Sequence, residues 1–198
     1  MEGESSNYDF KGVLFQGETP PDPSILVTLP EDLQSFYQEC NGLVAFNGGL
    51  QIRICSNDDN PLSLGRYWKG DRALHRIYPN LLTSDIPFGQ DCAGDQFFLR
   101  DDFVWLLSAE TGEIMDMEVH LDEFFETSIE DPVDYLSMEP LVHYLDMEGE
   151  LPFGQLVHIV PALSEDLPEE PQYHIDALPI DERLDWLAKY FNSLEIDS

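Results

Sequence analysis

Four aspartates, Asp91, Asp95, Asp101 and Asp102, fall within a short stretch of this chain. Carboxylates that close could divide acid and base roles or hold a divalent cation. No His or Lys base lies near them in sequence, and no nucleophile signature accompanies them. They therefore read as turn residues, whose carboxylates accept backbone N–H bonds, together with solvated charge. Asn57-Asp58-Asp59-Asn60 offers oxygen ligands, but it lacks the spacing, the turn glycine and the closing Glu of a calcium loop. It reads as a polar loop. His120, His143 and His158 lie beside apolar positions, and each is expected to be partly buried with its nitrogens satisfied. Cys40, Cys55 and Cys92 form no C-x-x-C pair and no zinc spacing with histidine, so reduced, buried thiols are expected. No catalytic residue, cofactor or metal site follows from these residues.

Charge is the larger signal. The 198 residues carry 40 Asp and Glu against nine Lys and Arg, a formal net charge of −31 at pH 7. Residues 1–100 hold 14 acids and seven bases, whereas residues 101–198 hold 26 and two. Nucleic acid is an unsuitable ligand for such a chain, because its binding needs Lys and Arg to replace counterions. An anionic membrane surface is excluded on the same sign argument. A cationic protein is the complementary partner, attracted over long range and more weakly as salt rises. Asp116, Glu118, Asp122, Glu123, Glu126, Glu130, Asp131 and Asp134 form the densest acidic run. Two readings of it stand open, solvated helix faces and a docking surface. The basic cluster Arg66, Lys69, Arg72 and Arg76 reads as internal ion pairing, since carboxylates outnumber cations so heavily.

The elements that must position these residues are legible in part. Hydrophobic residues make up 42% and aromatics 12%, enough for a sizeable core in one domain. Val13-Leu14-Phe15 suggests a short strand. Leu29–Gly42 reads as a helix capped by Thr28, with Pro30 in its first turn, Glu31 and Asp32 at the positive end of the dipole, and Leu33, Phe36, Tyr37 and Cys40 on one face. Leu50–Cys55 alternates, placing Leu50, Ile52 and Ile54 on one side and Gln51 and Arg53 on the other, as in a half-buried strand. Residues 64–79 read as helical or irregular. Residues 86–116 read as a meander of short strands, with Gly89–Gly94 as a turn, and tight turns require the strands to be antiparallel. Val119, Leu121, Phe124 and Phe125 make a helical stripe, and Tyr135, Leu136, Leu141, Tyr144 and Leu145 make another interrupted by Pro140. Leu156–Val160 is a strand candidate, residues 161–172 a Pro- and acid-rich linker, and Ile180–Phe191 an amphipathic helix. The N-terminal residues lack a signal-peptide pattern and no stretch has membrane-span length, so a cytoplasmic location is expected.

Two segments together resemble the SUKH superfamily of cell-wall regulators and their bacterial relatives. Leu29-Pro-Glu-Asp-Leu33, Phe36-Tyr37 and Asn41-Gly42 are similar to its opening helix. Ile86-Pro-Phe-Gly-Gln-Asp-Cys-Ala-Gly-Asp-Gln-Phe-Phe-Leu99, with Val104-Trp105 and Thr111-Gly-Glu113, is similar to its strand–turn–strand and the acid-bearing turn after it. Leu151–Pro161 is a softer match. Gly89 and Gly94 also suit positive φ, and Asp91 and Asp95 suit turn carboxylates. The resemblance covers residues 29–161. It implies an α+β domain, an antiparallel sheet flanked by helices, assigned here to residues 1–161; residues 162–198 lie outside the match and read as an acidic linker and a C-terminal amphipathic helix packing on or extending the domain.

The resemblance further implies no catalysis and, for bacterial members, an immunity protein that neutralises a cognate toxin. The expectation is a non-enzymatic protein that binds a basic, nuclease-like toxin stoichiometrically and occludes its cleft, acting as monomer or homodimer. The alternative is a regulatory or scaffolding interaction module of the cell-wall regulator type. Candidate partner-binding residues are Asp102, Asp116, Glu118, Asp122, Glu123, Glu126, Asp58, Asp59 and Trp68. Exposed members of the set Trp68, Tyr78, Phe103 and Trp105 are the aromatic anchors to look for, most of the four being expected in the core, since a few desolvated anchors carry most interface affinity.

Overall fold

The computed structural model describes residues 8–165 and 173–196. Most of the Pro- and acid-rich linker, 166–172, and the acidic N-terminal residues 1–7 lie outside the described residues.

Short alternating segments joined by tight turns build a seven-stranded antiparallel sheet. Its strands are β1 (Phe15–Gln16), β2 (Leu43–Ala45), β3 (Leu50–Ile52), β4 (Ile86–Asp91), β5 (Gln96–Arg100), β6 (Phe103–Leu107) and β7 (Ile114–Asp116), side by side in chain order. The helices are α1 (Pro23–Leu26), α2 (Glu31–Glu39), α3 (Leu64–Trp68), α4 (Leu121–Glu130), α5 (Pro132–Tyr135), α6 (Glu139–Glu148) and α7 (Ile180–Ile196). A separate hairpin pairs β8 (Gln155–Val160) with β9 (His174–Pro179) along all six residues. The chain is thus an α+β fold with an antiparallel sheet and flanking helices.

Period-two alternation sends successive side chains to opposite faces. Leu43, Leu50, Phe88, Phe97, Leu99 and Val104 pack with Phe36 of α2, Phe124 and Phe125 of α4 and Leu141 of α6. Val44, Phe98 and Leu107 face the other way, against Tyr67 of α3, Leu74, Tyr78 and Leu184, Leu187 and Phe191 of α7. Burying one such large apolar side chain contributes about 1.5–3 kcal/mol. Two helical layers therefore cover the sheet, and this second layer changes the meaning of β3. Gln51 and Arg53, expected on a solvent face, are 2% and 0% exposed. Ile54 leaves the strand and joins the second face instead.

Arg53 has no carboxylate partner among the described residues. Its Nη1 donates to the carbonyls of Pro87 at 2.9 Å and Gly89 at 3.0 Å. Its Nη2 donates to Gln90 Oε1 at 3.1 Å and to Gln96 Oε1. The guanidinium lies over the Tyr67 ring, 4.3 Å from its centroid. Burial lowers its pKa to about 10.

Other local readings change too. Thr28 does not cap α2: its hydroxyl donates to Ile25 O, and Pro30 occupies the cap position without a side-chain bond. Gly89 sits inside β4 rather than in a turn, because the strand runs on to Asp91. Gly94 does take φ +104°, and a Cβ there would stand 2.8 Å from Leu187 Cδ1. Pro140 does not interrupt a helix but lies in the first turn of α6, where its missing N–H removes no hydrogen bond. The described part of 162–196 supplies β9 and α7. At Gly112, φ +71°, a Cβ would collide with the Phe191 ring, so α7 lies directly against the turn between β6 and β7.

Candidate functional site

The chain leaves β7 and turns into α4 along one edge of the sheet. Met117 N–H donates to Val104 O, and Val104 N–H donates to Val119 O, which ties this crossing to β6. His120 Nδ1 lies 3.1 Å from Asp102 O, and the Phe103 ring stacks on His120 at 4.4 Å. The β5–β6 turn that carries Asp102 is thereby joined to the start of α4. In α4, Leu121, Phe124, Phe125 and Ser128 are buried, so helical periodicity leaves Asp122, Glu123 and Glu126 exposed. Asp122 and Glu123 lie in the first turn, where the helix dipole favours anions.

Beside α4 runs α2. Between them lies a groove of about 140 Å³ lined by Tyr8, Asp32, Ser35, Phe36, Glu39, Leu121, Asp122 and Phe125. Tyr8 meets the Phe125 ring edge-on at 5.1 Å. Burial raises the pKa of the Tyr8 phenol, and Asp122, Glu126, Glu39 and Asp32 add to the rise. The result is an anionic rim from the Asp102 turn and the crossing from β7 across α4 to an aromatic-floored groove. An aromatic face flanked by carboxylates suits a Lys or Arg side chain.

Among the described residues, none of Asp32, Glu39, Asp102, Asp116, Glu118, Asp122, Glu123 and Glu126 joins an ion pair. Several of the cations are engaged elsewhere. Arg66 and Arg72 reach Asp181 at 3.2 and 3.7 Å, and Arg72 also reaches Asp185 at 2.6 Å. Arg100 pairs with Asp85 at 2.7 Å. Lys69 Nζ sits 3.4 Å from the centroid of the Trp68 ring. Of the four basic residues expected to pair internally, Arg66 and Arg72 do so and fasten α3 to α7, whereas Lys69 and Arg76 join no ion pair among the described residues.

Five of the candidate residues, Asp102, Glu118, Asp122, Glu123 and Glu126, lie along the β5–β6 turn, the crossing from β7 and α4, whereas Asp116 sits on the outer strand β7 with its side chain on the α7 face. Asp58 and Asp59 stand apart from this rim. They lie in the loop before α3, on the side of the sheet covered by α7, where Arg66 donates to Asp59 O. Trp68 is a core residue at 6% exposure and cannot anchor a partner. Tyr78 is likewise buried, Trp105 is half-buried and Phe103 is 38% exposed. His120 and His143 are exposed rather than partly buried. Asp32 and Glu39 were missed; their spacing on the polar side of α2 was the available signal, but nothing in the sequence set that side beside α4. Cys40, Cys55 and Cys92 are free and buried. Among the described residues no group of three or more His, Cys, Asp or Glu is placed to hold a metal ion. No described helix is long and apolar enough to cross a membrane.

A second acidic group is buried. Asp91 Oδ1 accepts the N–H bonds of Ala93, Gly94 and Asp95 at 2.8–2.9 Å, and Asp95 Oδ1 accepts that of Ala109. Both are turn carboxylates, as their spacing suggested. Arg183 of α7 comes down on this turn, donating to Ala93 O at 3.0 Å, with His158 Nδ1 at 3.1 Å and Glu110 at 3.7 Å. Burial holds both Asp pKa values well above the usual carboxylate range. Asp95 adds to the rise at Asp91, and Glu110 to that at Asp95, against the opposing backbone bonds and, at Asp95, Arg183.

These shifts fix the sign of a pH dependence. The folded chain keeps protons that the unfolded chain releases above about pH 4, so these two groups lower stability as pH rises from there through neutrality. His158, whose pKa is lowered first by burial and then by Arg183, contributes in the opposite direction below its ordinary value. Asp91→Asn keeps an oxygen for the three N–H bonds while removing the titration. Urea unfolding at pH 5, 6, 7 and 8 is expected to show stability declining toward pH 8, with a flatter decline in Asp91→Asn. Equal slopes for the two proteins are the contrary result.

What the fold and the rim define is an α+β domain with an uncompensated anionic edge. No model of a known protein family matches the chain, and no curated protein matches it.

Proposed function

We propose that this chain is an immunity protein: it binds a cognate basic toxin, nuclease-like in its need for a cationic cleft, and neutralises it by stoichiometric occlusion. The observation that carries the reading is the rim of exposed carboxylates on the crossing from β7, on α4 and on α2, none of them ion-paired among the described residues. Charges that merely solubilise need no common location. Here Asp32, Glu39 and Asp122 line one concave, aromatic-floored groove while Arg66, Arg72, Arg100 and Arg183 are engaged by other acids. An enzyme that grips phosphates must expose Lys and Arg, and this rim is complementary to such a cleft. The SUKH resemblance at residues 29–42 and 86–113 points the same way. Each exposed pair contributes only about 0.2–1 kcal/mol, so affinity also needs apolar anchors, for which exposed Phe103 and Met115 beside the rim are placed.

The test mixes the purified chain with the toxin encoded beside its gene. One equivalent is expected to abolish toxin activity and to give a single co-eluting species. Unchanged activity together with unchanged elution volumes overturns the reading.

A further inference from the structure

We infer that the outer edge of β7 receives an extended segment of the cationic partner as an eighth strand; this rests on the cationic-partner reading above. The sheet ends at β7, and among the described residues no strand pairs with its far side. The register Leu107↔Ile114, Leu106↔Met115 and Trp105↔Asp116 fixes which backbone groups are free. Ser108 N–H donates to Glu113 O and Met117 N–H donates to Val104 O, so residues 113, 115 and 117 turn their backbone groups inward. Alternation in an antiparallel pair then points those of Ile114 and Asp116 outward. Beside this edge lies an open groove of about 510 Å³, lined by Asn80, Leu106, Ser108, Glu113, Ile114 and Met115. Met115 is 56% exposed, which is unusual for so apolar a side chain on a strand.

The faces of the edge set what an added strand must carry. Leu106 packs against the core on the α4 side, so Met115 opposite it, and Glu113 two residues away, lie on that face. Ile114 packs against the core on the α7 side, so Asp116 shares that face. Each face therefore presents one apolar residue and one acid, staggered by one position. A strand laid along residues 113–116 finds, in turn, an acid, an apolar residue, an apolar residue and an acid. Its complement is basic-apolar-apolar-basic, a pattern that reads the same in parallel and antiparallel pairing. Antiparallel pairing with β7 of a second copy must set outward-facing residues opposite one another, so Ile114 would meet Asp116 and Met117 would meet Glu113, leaving each carboxylate against an apolar side chain and no cation. The edge thus disfavours self-pairing and favours a basic strand.

The experiment titrates the full, 15N-labelled chain at low salt with a blocked octapeptide centred on Lys-Val-Val-Lys, and with its isomer centred on Val-Lys-Lys-Val. The first is expected to shift the Ile114 and Asp116 amides and slow their hydrogen exchange, and the isomer to bind at least about fivefold more weakly. Glu113→Lys with Asp116→Lys is expected to transfer the preference to a Glu-Val-Val-Glu peptide. Equal affinities for the isomers, shifts confined to α4, or dimerisation through β7 without peptide each overturn the inference. Toxin neutralisation that persists despite such a result leaves the function reading standing and removes only this mode of docking.

Discussion

Replacing Arg53 by alanine is expected to destabilise the fold by about 3–5 kcal/mol, the range for removing one partner of a buried charged network. The guanidinium is fully buried and neutralised by no carboxylate among the described residues; dipoles alone hold it. Its removal withdraws donors from the carbonyls of Pro87 and Gly89 and from Gln96 Oε1, and each buried group left unpaired costs about 1–3 kcal/mol. Gln90 Oε1 suffers less, since Gln96 Nε2 still approaches it at 3.4 Å. Alanine also leaves a cavity beneath Tyr67. For a chain of this size the melting temperature should fall by about 10 °C. Urea unfolding of Arg53→Ala measures the loss. Arg53→Leu paired with Gln96→Leu should recover part of it, because the orphaned acceptor is gone. A loss under about 1 kcal/mol, or simple additivity of Arg53→Leu and Gln96→Leu, contradicts this account of the buried network.

Reversing Asp122, Glu123 and Glu126 to Lys is expected to slow association with the toxin by roughly 10- to 1,000-fold. The three lie on the solvent side of α4, so the core beneath is untouched. Dissociation should change less, because steering charges act mainly on encounter. The dependence of the association rate on ionic strength should flatten as well, since screening then has less attraction to remove. The first-turn charges also favour the helix dipole, and losing that adds about 0.3–1 kcal/mol of instability per residue. Asp58→Lys with Asp59→Lys supplies the control. It changes charge in the same direction on the α7 side of the sheet and should leave the rate within a few-fold of the unaltered chain. Stopped-flow mixing over a range of salt concentrations distinguishes them. Equal slowing by both variants would make the effect one of net charge alone and would remove α4 from the site.

How much of this was legible depends on whether the signal was local. The meander over residues 86–116 followed from alternation and turn chemistry, and β5 to β7 lie where those placed them, while β4 runs on to Asp91 through part of the expected turn. Turn roles for Asp91 and Asp95 followed from the same short-range chemistry. The stripe through Leu121, Phe124 and Phe125 foretold α4 and its exposed acids. Residues Gln51 and Arg53 were misread because alternation reports which side chains share a face and not what covers it. Trp68 was misread for the same reason: an aromatic among basic residues looks exposed until α3 is laid against the sheet. Strand β9 was not foreseen, because its partner β8 lies across the linker and pairing of that kind leaves little local trace.

The amino-acid sequence by itself determined the antiparallel sheet, the charge excess and its concentration in the second half of the chain. These follow from period, turn residues and counting. Tertiary structure alone decided that Asp32 and Glu39 of α2 join Asp122 of α4 in one groove with Tyr8, that Asp58 and Asp59 stand apart, and that Arg183 closes over the β4–β5 turn. The physical reason is that these groupings depend on which helix covers which face of the sheet. That is settled by packing between residues far apart in the chain, to which local periodicity is blind.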